Sequence, residues 1–230
     1  MRSNLIIGVS GNIREDEIKY FIDRVFGDLP DDEMNFDVPK FNDLPRGEKI
    51  LEVETPQTAV IFGHRGLKRK DKNFFAARII NYVLGGGGFQ SRLYKKIRKK
   101  EGLVYSIYSY LSPYHSDGLI LGGFQTQNQY VYKTINLVKE EWDHIGELGL
   151  QKTEFEEAKT YFKGSFARNF TSTLSIANLL RIVQYYDLGK NYFNMRNKII
   201  DQVEFGYANK LSKKLFNSDN LFFLIVGKPE

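Results

Sequence analysis

The chain contains no cysteine. That excludes disulfides, thiolate nucleophiles and cysteine-ligated zinc, and it fits a reducing compartment, so a cytoplasmic location is expected. Histidine is scarce as well, with only His64, His115 and His144, far apart and none with a second histidine four residues on. Neither His-x-x-Glu-His nor His-Glu-x-x-His occurs, so sequence neighbours cannot assemble a zinc hydrolase centre, and no metal or cofactor is expected in this chain. Long apolar runs are missing: nothing approaches the roughly 20 residues a membrane helix needs, and no membrane partner is expected. The opening run Leu5 to Val9 lacks a small-residue cleavage site, so no signal peptide is expected either. A strong charge of one sign is also absent. Thirty-three basic residues against 28 acidic give +5 over 230 residues, which does not by itself argue for nucleic acid.

What is present reads as a globular protein with 42% apolar residues. Leu5 to Val9 is a short apolar run with the character of a buried strand, closed by Gly11. Ile18, Phe21, Ile22 and Val25 recur at helical spacing within Asp16 to Phe26, and Gly27 marks the end. Three of the six prolines fall between Asp28 and Gly47, where periodicity vanishes and a linker is expected. Ile50 to Val53 and Thr58 to Phe62 read as strands, and Asn73 to Leu84 as a helix with Phe75, Ile79, Tyr82 and Val83 on one stripe. After four consecutive glycines, which predict a loop, Phe89, Leu93 and Ile97 set the stripe of a basic helix. Leu103 to Leu111 and Leu119 to Thr126 form an antiparallel hairpin with a long tip, Ser112 to Gly118.

The last hundred residues are mainly helical. Val131, Ile135, Val138, Trp142 and Ile145 make an amphipathic stripe. Thr153 to Glu156 reads as a capping box, with Phe155, Ala158, Phe162 and Phe166 inward. A helix from about Leu174 to Leu188 ends at Gly189. Another starts between Asp201 and Glu204 with Tyr207, Leu211 and Leu215 inward, before a strand from Leu221 to Val226. Asn4 to Gly11 and Asn220 to Gly227 echo each other, each an Asn-Leu start to an apolar run closed by glycine. Duplication explains this, and so does chance likeness between two buried strands.

The glycines Gly85, Gly86, Gly87 and Gly88 fail as a phosphate cradle. Phe89-Gln90-Ser91 follow where a nucleotide loop needs Gly-Lys-Ser/Thr, and Gln90 and Ser91 stand where the dinucleotide fingerprint needs glycine. Arg92, Lys95, Lys96, Arg98, Lys99 and Lys100, with Tyr94, Tyr105, Tyr108 and Tyr110 nearby, could contact phosphates and bases. The small net charge weighs against nucleic acid, and a solvated helix face is the plainer reading.

The string LGGGGFQSRLY from Leu84 to Tyr94, then Ile97-Arg98 and Glu101-Gly102-Leu103-Val104-Tyr105-Ser106, resembles the C-terminal, inactive domain of the M16 zinc metallopeptidases. That family includes pitrilysin and the mitochondrial processing peptidase. Phe26-Gly27-Asp28-Leu29-Pro30, the Gln57 strand and the Thr153 to Lys159 helix start fall in family order, so the resemblance covers nearly the whole chain. It implies an α+β fold of the M16/LuxS-like metallohydrolase type, an antiparallel-rich mixed sheet covered by helices. It also implies residues 1–27 as the tail of a preceding M16 domain, 28–47 as linker and 48–230 as the domain itself.

By the same resemblance, zinc belongs to a catalytic half that closes with this one over an unfolded peptide, and that half's motif glutamate is the general base. Arg98 and Tyr105 match a family Arg and a Tyr seven residues on that reach the catalytic centre in trans, and Gly85 to Gly88 resemble a substrate-contacting loop. The partners implied are a catalytic half or subunit, as a homo- or heterodimer, and a peptide substrate. The alternative is a purely structural M16-like subunit without proteolysis.

Overall fold

The computed structural model describes residues 2–31 and 43–230, so most of the expected linker lies outside the described residues. The chain divides into two compact units, Met1–Pro39 with Lys163–Met195, and Lys40–Phe162 with Arg196–Glu230.

The larger unit is built on a five-stranded sheet in the order β1-β5-β2-β4-β3. Its strands are β1 Gly47–Glu52, β2 Gln57–Arg65, β3 Ile107–Pro113, β4 Gly118–Gln127 and β5 Phe222–Gly227. Only β1 and β5 run parallel; β5 with β2, β2 with β4 and β4 with β3 are antiparallel. This is the antiparallel-rich mixed sheet of the expected α+β class. The hairpin of β3 and β4 pairs Ile107 with Phe124 and Pro113 with Gly118. Its tip is tighter than expected, closed by a Tyr114 N–H bond to the Asp117 carbonyl at 2.8 Å.

Alternation decides which face is covered. Val60, Phe62, Ile120, Phe124, Phe223 and Ile225 are buried on one face, as period-two side chains must be when a helix layer covers that side. The layer includes α2 Phe74–Asn81, α3 Val131–Glu147, α4 Lys152–Ser165 and α7 Phe205–Leu215. All five stripe residues of α3 are buried, as its spacing predicts, and Trp142 meets Phe62 edge-on with ring centroids 5.5 Å apart. α2 is buried almost all round rather than on one stripe. The opposite sheet face leaves Ile61 56% exposed and Tyr108 and Tyr110 about half exposed, the two tyrosine rings stacked at 6.1 Å.

Several expectations need correction. The cap of α4 sits two residues upstream and is half of the expected box: the Glu154 carboxylate accepts the Gln151 backbone N–H at 2.9 Å. Phe166 lies beyond α4 in a 3-10 turn and meets Phe170 edge-on and Phe193 at a tilt in the smaller unit. α7 buries Ala208 and Ser212 instead of Tyr207, which is exposed and donates its hydroxyl to Asn73. Helix α6, Tyr192–Asp201, has no counterpart in the sequence pattern, because its start carries Tyr, Phe, Asn and Met without a clear stripe.

The smaller unit contains α1 Glu15–Phe26, α5 Thr173–Tyr185 and the phenylalanine cluster. Leu5 to Val9 is not a strand within this chain. It runs without a ladder, with Ile6, Ile7 and Gly8 half-buried, and an added Cβ on Gly8 would meet the Ala177 carbonyl and approach the Arg181 nitrogen of α5 at 3.1 Å.

Candidate functional site

The glycine-rich stretch is a tightened junction and not the free loop expected from its composition. α2 widens at its end into a π turn, Tyr82–Gly86, and a 3-10 turn Gly88–Gln90 follows. Such single-turn widenings are uncommon and need a local cause. Here the cause is close packing on β3. A Cβ on Gly85 would collide with the Ser109 side chain and lie 2.8 Å from the Ser109 backbone nitrogen. Asn81 completes the contact: its amide donates to the Ser109 carbonyl at 3.0 Å and its Oδ1 accepts the Ser109 hydroxyl at 2.8 Å. Gly86 and Gly87 are confined by Asn81 and Tyr82, and only Gly88, at φ +56°, faces open space.

Beyond the glycines the basic helix takes π spacing from Tyr94 to Lys100. That shifts the stripe. Leu93 and Ile97 are fully buried, but Phe89 is 76% exposed and leaves it. The helix stops at Gly102, φ +68°, with the Leu103 N–H reaching back to the Ile97 carbonyl at 3.1 Å, a wide closure that follows the π spacing and that a left-handed glycine permits.

The cations here divide into paired and free. Arg92 grips Glu154 through two bonds, Nε to Oε1 at 3.0 Å and Nη2 to Oε2 at 2.5 Å, and also donates to the Gly149 carbonyl. Burial opposes ionisation of Glu154, but the bonds from Arg92 and the Gln151 N–H, with the charges of Arg92 and Lys95, hold its carboxyl below the ordinary range. Lys96 lies 3.6 Å from Glu140 and 3.8 Å from Glu141. Lys133 pairs with Glu101 at 3.0 Å, and its hydrogen bond and charge lower that carboxyl's pKa. Arg92 and Lys96 are therefore committed to internal carboxylates, which weakens the reading of this helix as a phosphate footprint.

Arg98 and Tyr105 sit at either end of the helix stop. Arg98 is half-buried, and its Nε is shielded from solvent with no hydrogen-bond partner among the described residues. Tyr105 is 88% exposed. Its loop is nevertheless anchored on both sides: Val104 and Ile107 are buried, and the Thr126 hydroxyl donates to the Leu103 carbonyl at 2.6 Å. The phenol is thus held outward by a fixed backbone.

The histidines go elsewhere. His64 is buried, and desolvation lowers its pKa to about 4, against a smaller opposing effect of its bond to the Arg65 carbonyl. The neutral ring donates from Nδ1 to that carbonyl, 2.8 Å away, and accepts the Trp142 indole N–H at Nε2, 3.0 Å away. His115 lies in the hairpin tip and His144 on the exposed side of α3. Among the described residues no group of three or more His, Asp or Glu side chains is placed to hold a metal ion, so these residues do not fit a zinc centre. An open cleft of about 510 Å³ lies at the other end of the sheet, lined by Asp43, Arg46, His64, Arg65 and Lys214 among others. The β2–β4 register separates that end from the Tyr105 loop.

A mixed sheet of order β1-β5-β2-β4-β3, with a glycine π turn sealed on its edge strand, defines an M16-type half. The chain belongs to the peptidase M16 inactive-domain family, which matches residues 2–162. It is 28% identical to the uncharacterized zinc protease YmxG of Bacillus subtilis, over 96% of this chain and 53% of that protein. It is 29% identical to the non-peptidase homolog YmxG of Helicobacter pylori, over 99% and 53%. The chain thus spans about half the length of these relatives. Its fold matches the crystal structure of a peptidase M16 inactive domain from Pseudomonas fluorescens, with TM-score 0.82 and 23% identity over 96% of this chain and 52% of that one. A chain of complex III from Candida albicans matches with TM-score 0.72 and 14% identity, over 95% and 54%. No helix among the described residues is long and apolar enough to cross a membrane.

Proposed function

We propose that this chain is the non-catalytic, substrate-binding half of a zinc-dependent M16 endopeptidase, which closes with a catalytic half over an unfolded peptide. The observation that carries the reading is Tyr105: a phenol exposed to 88% on a loop whose neighbours are pinned. A donor held outward at fixed geometry suits charge that develops on a peptide carbonyl oxygen supplied from outside, because it needs no reorganisation when the charge appears. Arg98, half-buried at the same helix stop, is the companion that orients substrate carbonyls or carboxylates. The uncovered sheet face beside them, with Tyr108 and Tyr110, offers apolar surface to an extended peptide. Among the glycines, Gly85 serves the packing on Ser109, Gly86 and Gly87 are confined by Asn81 and Tyr82, and Gly88 alone is left open to substrate.

Zinc belongs to the other half in this reading. The test is reconstitution with an M16 half carrying His-x-x-Glu-His. The chain alone leaves peptides uncut, the pair cleaves them, and Tyr105→Phe lowers kcat by about one to three orders of magnitude, the scale of losing one oxyanion donor. Unchanged turnover in Tyr105→Phe removes Tyr105 from the chemistry. The second reading, a structural subunit without proteolysis, draws on the Helicobacter relative named as a non-peptidase homolog. It predicts assembly with no cleavage by any pair.

A further inference from the structure

The net charge of this chain is gathered in one place. Of 33 basic and 28 acidic residues, nine and four fall in the segments 43–46, 64–72, 113–118 and 210–220, which leaves 24 of each sign elsewhere. The fold brings these segments together at the end of the sheet remote from the Tyr105 loop. Arg65, at the end of β2, pairs with Asp117 of the hairpin tip at 2.8 Å, and the Arg69 N–H bonds the Tyr114 carbonyl at 3.2 Å. The Tyr207 hydroxyl of α7 reaches Asn73, and Lys210 and Lys214 lie on the same helix face as Tyr207 by their spacing. The open cleft of about 510 Å³ is set among them, lined by residues of 43–46, 64–66 and 214–220.

Cations that hold the fold differ here from cations that do not. Arg65 is bound to Asp117, and the Arg69 guanidinium lies over the Phe74 ring, 4.3 Å from its centroid. Arg46 and Lys214 line the cleft, are exposed, and make no side-chain hydrogen bond or ion pair with another described residue. The same is true of the Asp43 carboxylate, and the Asn220 amide is half-buried and equally unengaged. His64, buried in the lining, has both ring nitrogens occupied by the Arg65 carbonyl and the Trp142 indole, so the inner wall is neutral and the charge stands at the exposed part.

That set of groups selects a ligand. Two uncommitted cations in a cleft at the basic end of a molecule concentrate an anion there. An arginine fork matches two phosphate oxygens, and a lysine adds a point charge. Asp43 repels an anion but accepts hydroxyl protons, and Asn220 can do either, so the ligand carries hydroxyl groups beside its phosphate. A polymer of phosphates gains nothing from Asp43. The volume falls in the range of small-molecule sites.

We propose that this cleft binds a phosphate ester of a small hydroxylated molecule, a sugar phosphate or a nucleotide, with Arg46 and Lys214 on the phosphate, Asp43 and Asn220 on hydroxyl groups, and Leu44 and Leu215 against the carbon skeleton. The site is separate from the Tyr105 loop and stands whether or not the chain serves a protease.

Calorimetric titration of the full chain with ribose 5-phosphate, adenosine monophosphate and inorganic phosphate tests it, at pH 7 and about 0.1 M salt. At least one ester should bind with Kd below about 1 mM, and inorganic phosphate roughly tenfold more weakly. A preference between the two esters names the source and upholds the site either way. Arg46→Gln and Lys214→Gln each weaken the ester by roughly tenfold or more, the scale of one charge-assisted hydrogen bond. Lys152→Gln, an exposed cation of α4, leaves it unchanged. Asp43→Ala narrows the margin between ester and inorganic phosphate. Amide shifts on ester binding to the unaltered chain should fall within 43–47, 64–66 and 214–221, a map that needs no variant. No ester binding at about 10 mM, equal binding of inorganic phosphate, full affinity in the Arg46 and Lys214 variants, or shifts centred elsewhere each overturn the proposal. So does tighter binding of a single-stranded DNA or of phosphatidylserine vesicles that the same variants abolish, which assigns this end to a polyanion.

Discussion

His64 is held neutral by its place in the core, and that sets a pH dependence. Its folded pKa of about 4 lies below the ordinary 6.5, so the fold binds fewer protons than the unfolded chain. Stability from this group is complete above pH 6.5 and is lost as pH falls toward 4, on the order of 3 kcal/mol in all. Urea unfolding at pH 7 and pH 4.5 should show most of that loss. In His64→Phe the slope between those pH values flattens, and the variant starts about 1–3 kcal/mol less stable because the Trp142 N–H has lost its buried acceptor. None of this was legible in the sequence, where His64 is one isolated histidine beside Arg65. Its partner lies 78 residues away, and no local pattern announces such a pair. The Arg92 and Glu154 clamp was hidden for the same reason, while Tyr105 was found only through resemblance.

Among the elements, those with a clear period were legible and those shaped by a tertiary contact were not. The α3 stripe and the hairpin follow from spacing alone, because packing against one neighbour imposes one period. The π turns do not, because the widening answers to Ser109 on a different element. Gly85→Val drives a branched side chain into β3 at a site with no room. It should lower stability by about 1–3 kcal/mol, the usual cost of overpacking, and raise hydrogen exchange at Ser109. Gly88→Ala meets no neighbour and costs only its left-handed backbone, about 1 kcal/mol. If the two variants lose equal stability in denaturant unfolding, the packing account of the glycines is wrong.

Across the whole molecule, the two units are unequally secured. Every fully buried apolar side chain among the described residues belongs to the unit that holds the sheet; α1 and α5 bury none completely. Local stability follows buried apolar contact, so α1 and α5 should exchange amide hydrogens at least tenfold faster than α3 and β5, and limited proteolysis should cut within 163–195 first. Equal protection in both units refutes this. The placement of Leu5 to Val9, extended against α5 without a ladder, also belongs to this scale: a strand is a property of its neighbours, and a sequence read alone cannot tell whether they are present.

The single tryptophan, Trp142, is fully buried against Phe62, Phe216 and His64. Its emission is therefore a private signal of the larger unit, silent about α1 and α5. Circular dichroism sums over all the helices, so the gap between melting curves followed by the two methods measures how independently the smaller unit comes apart. The same indole, hydrogen-bonded to an imidazole that charges only in acid, should dim as His64 takes up its proton, an optical titration that needs no label.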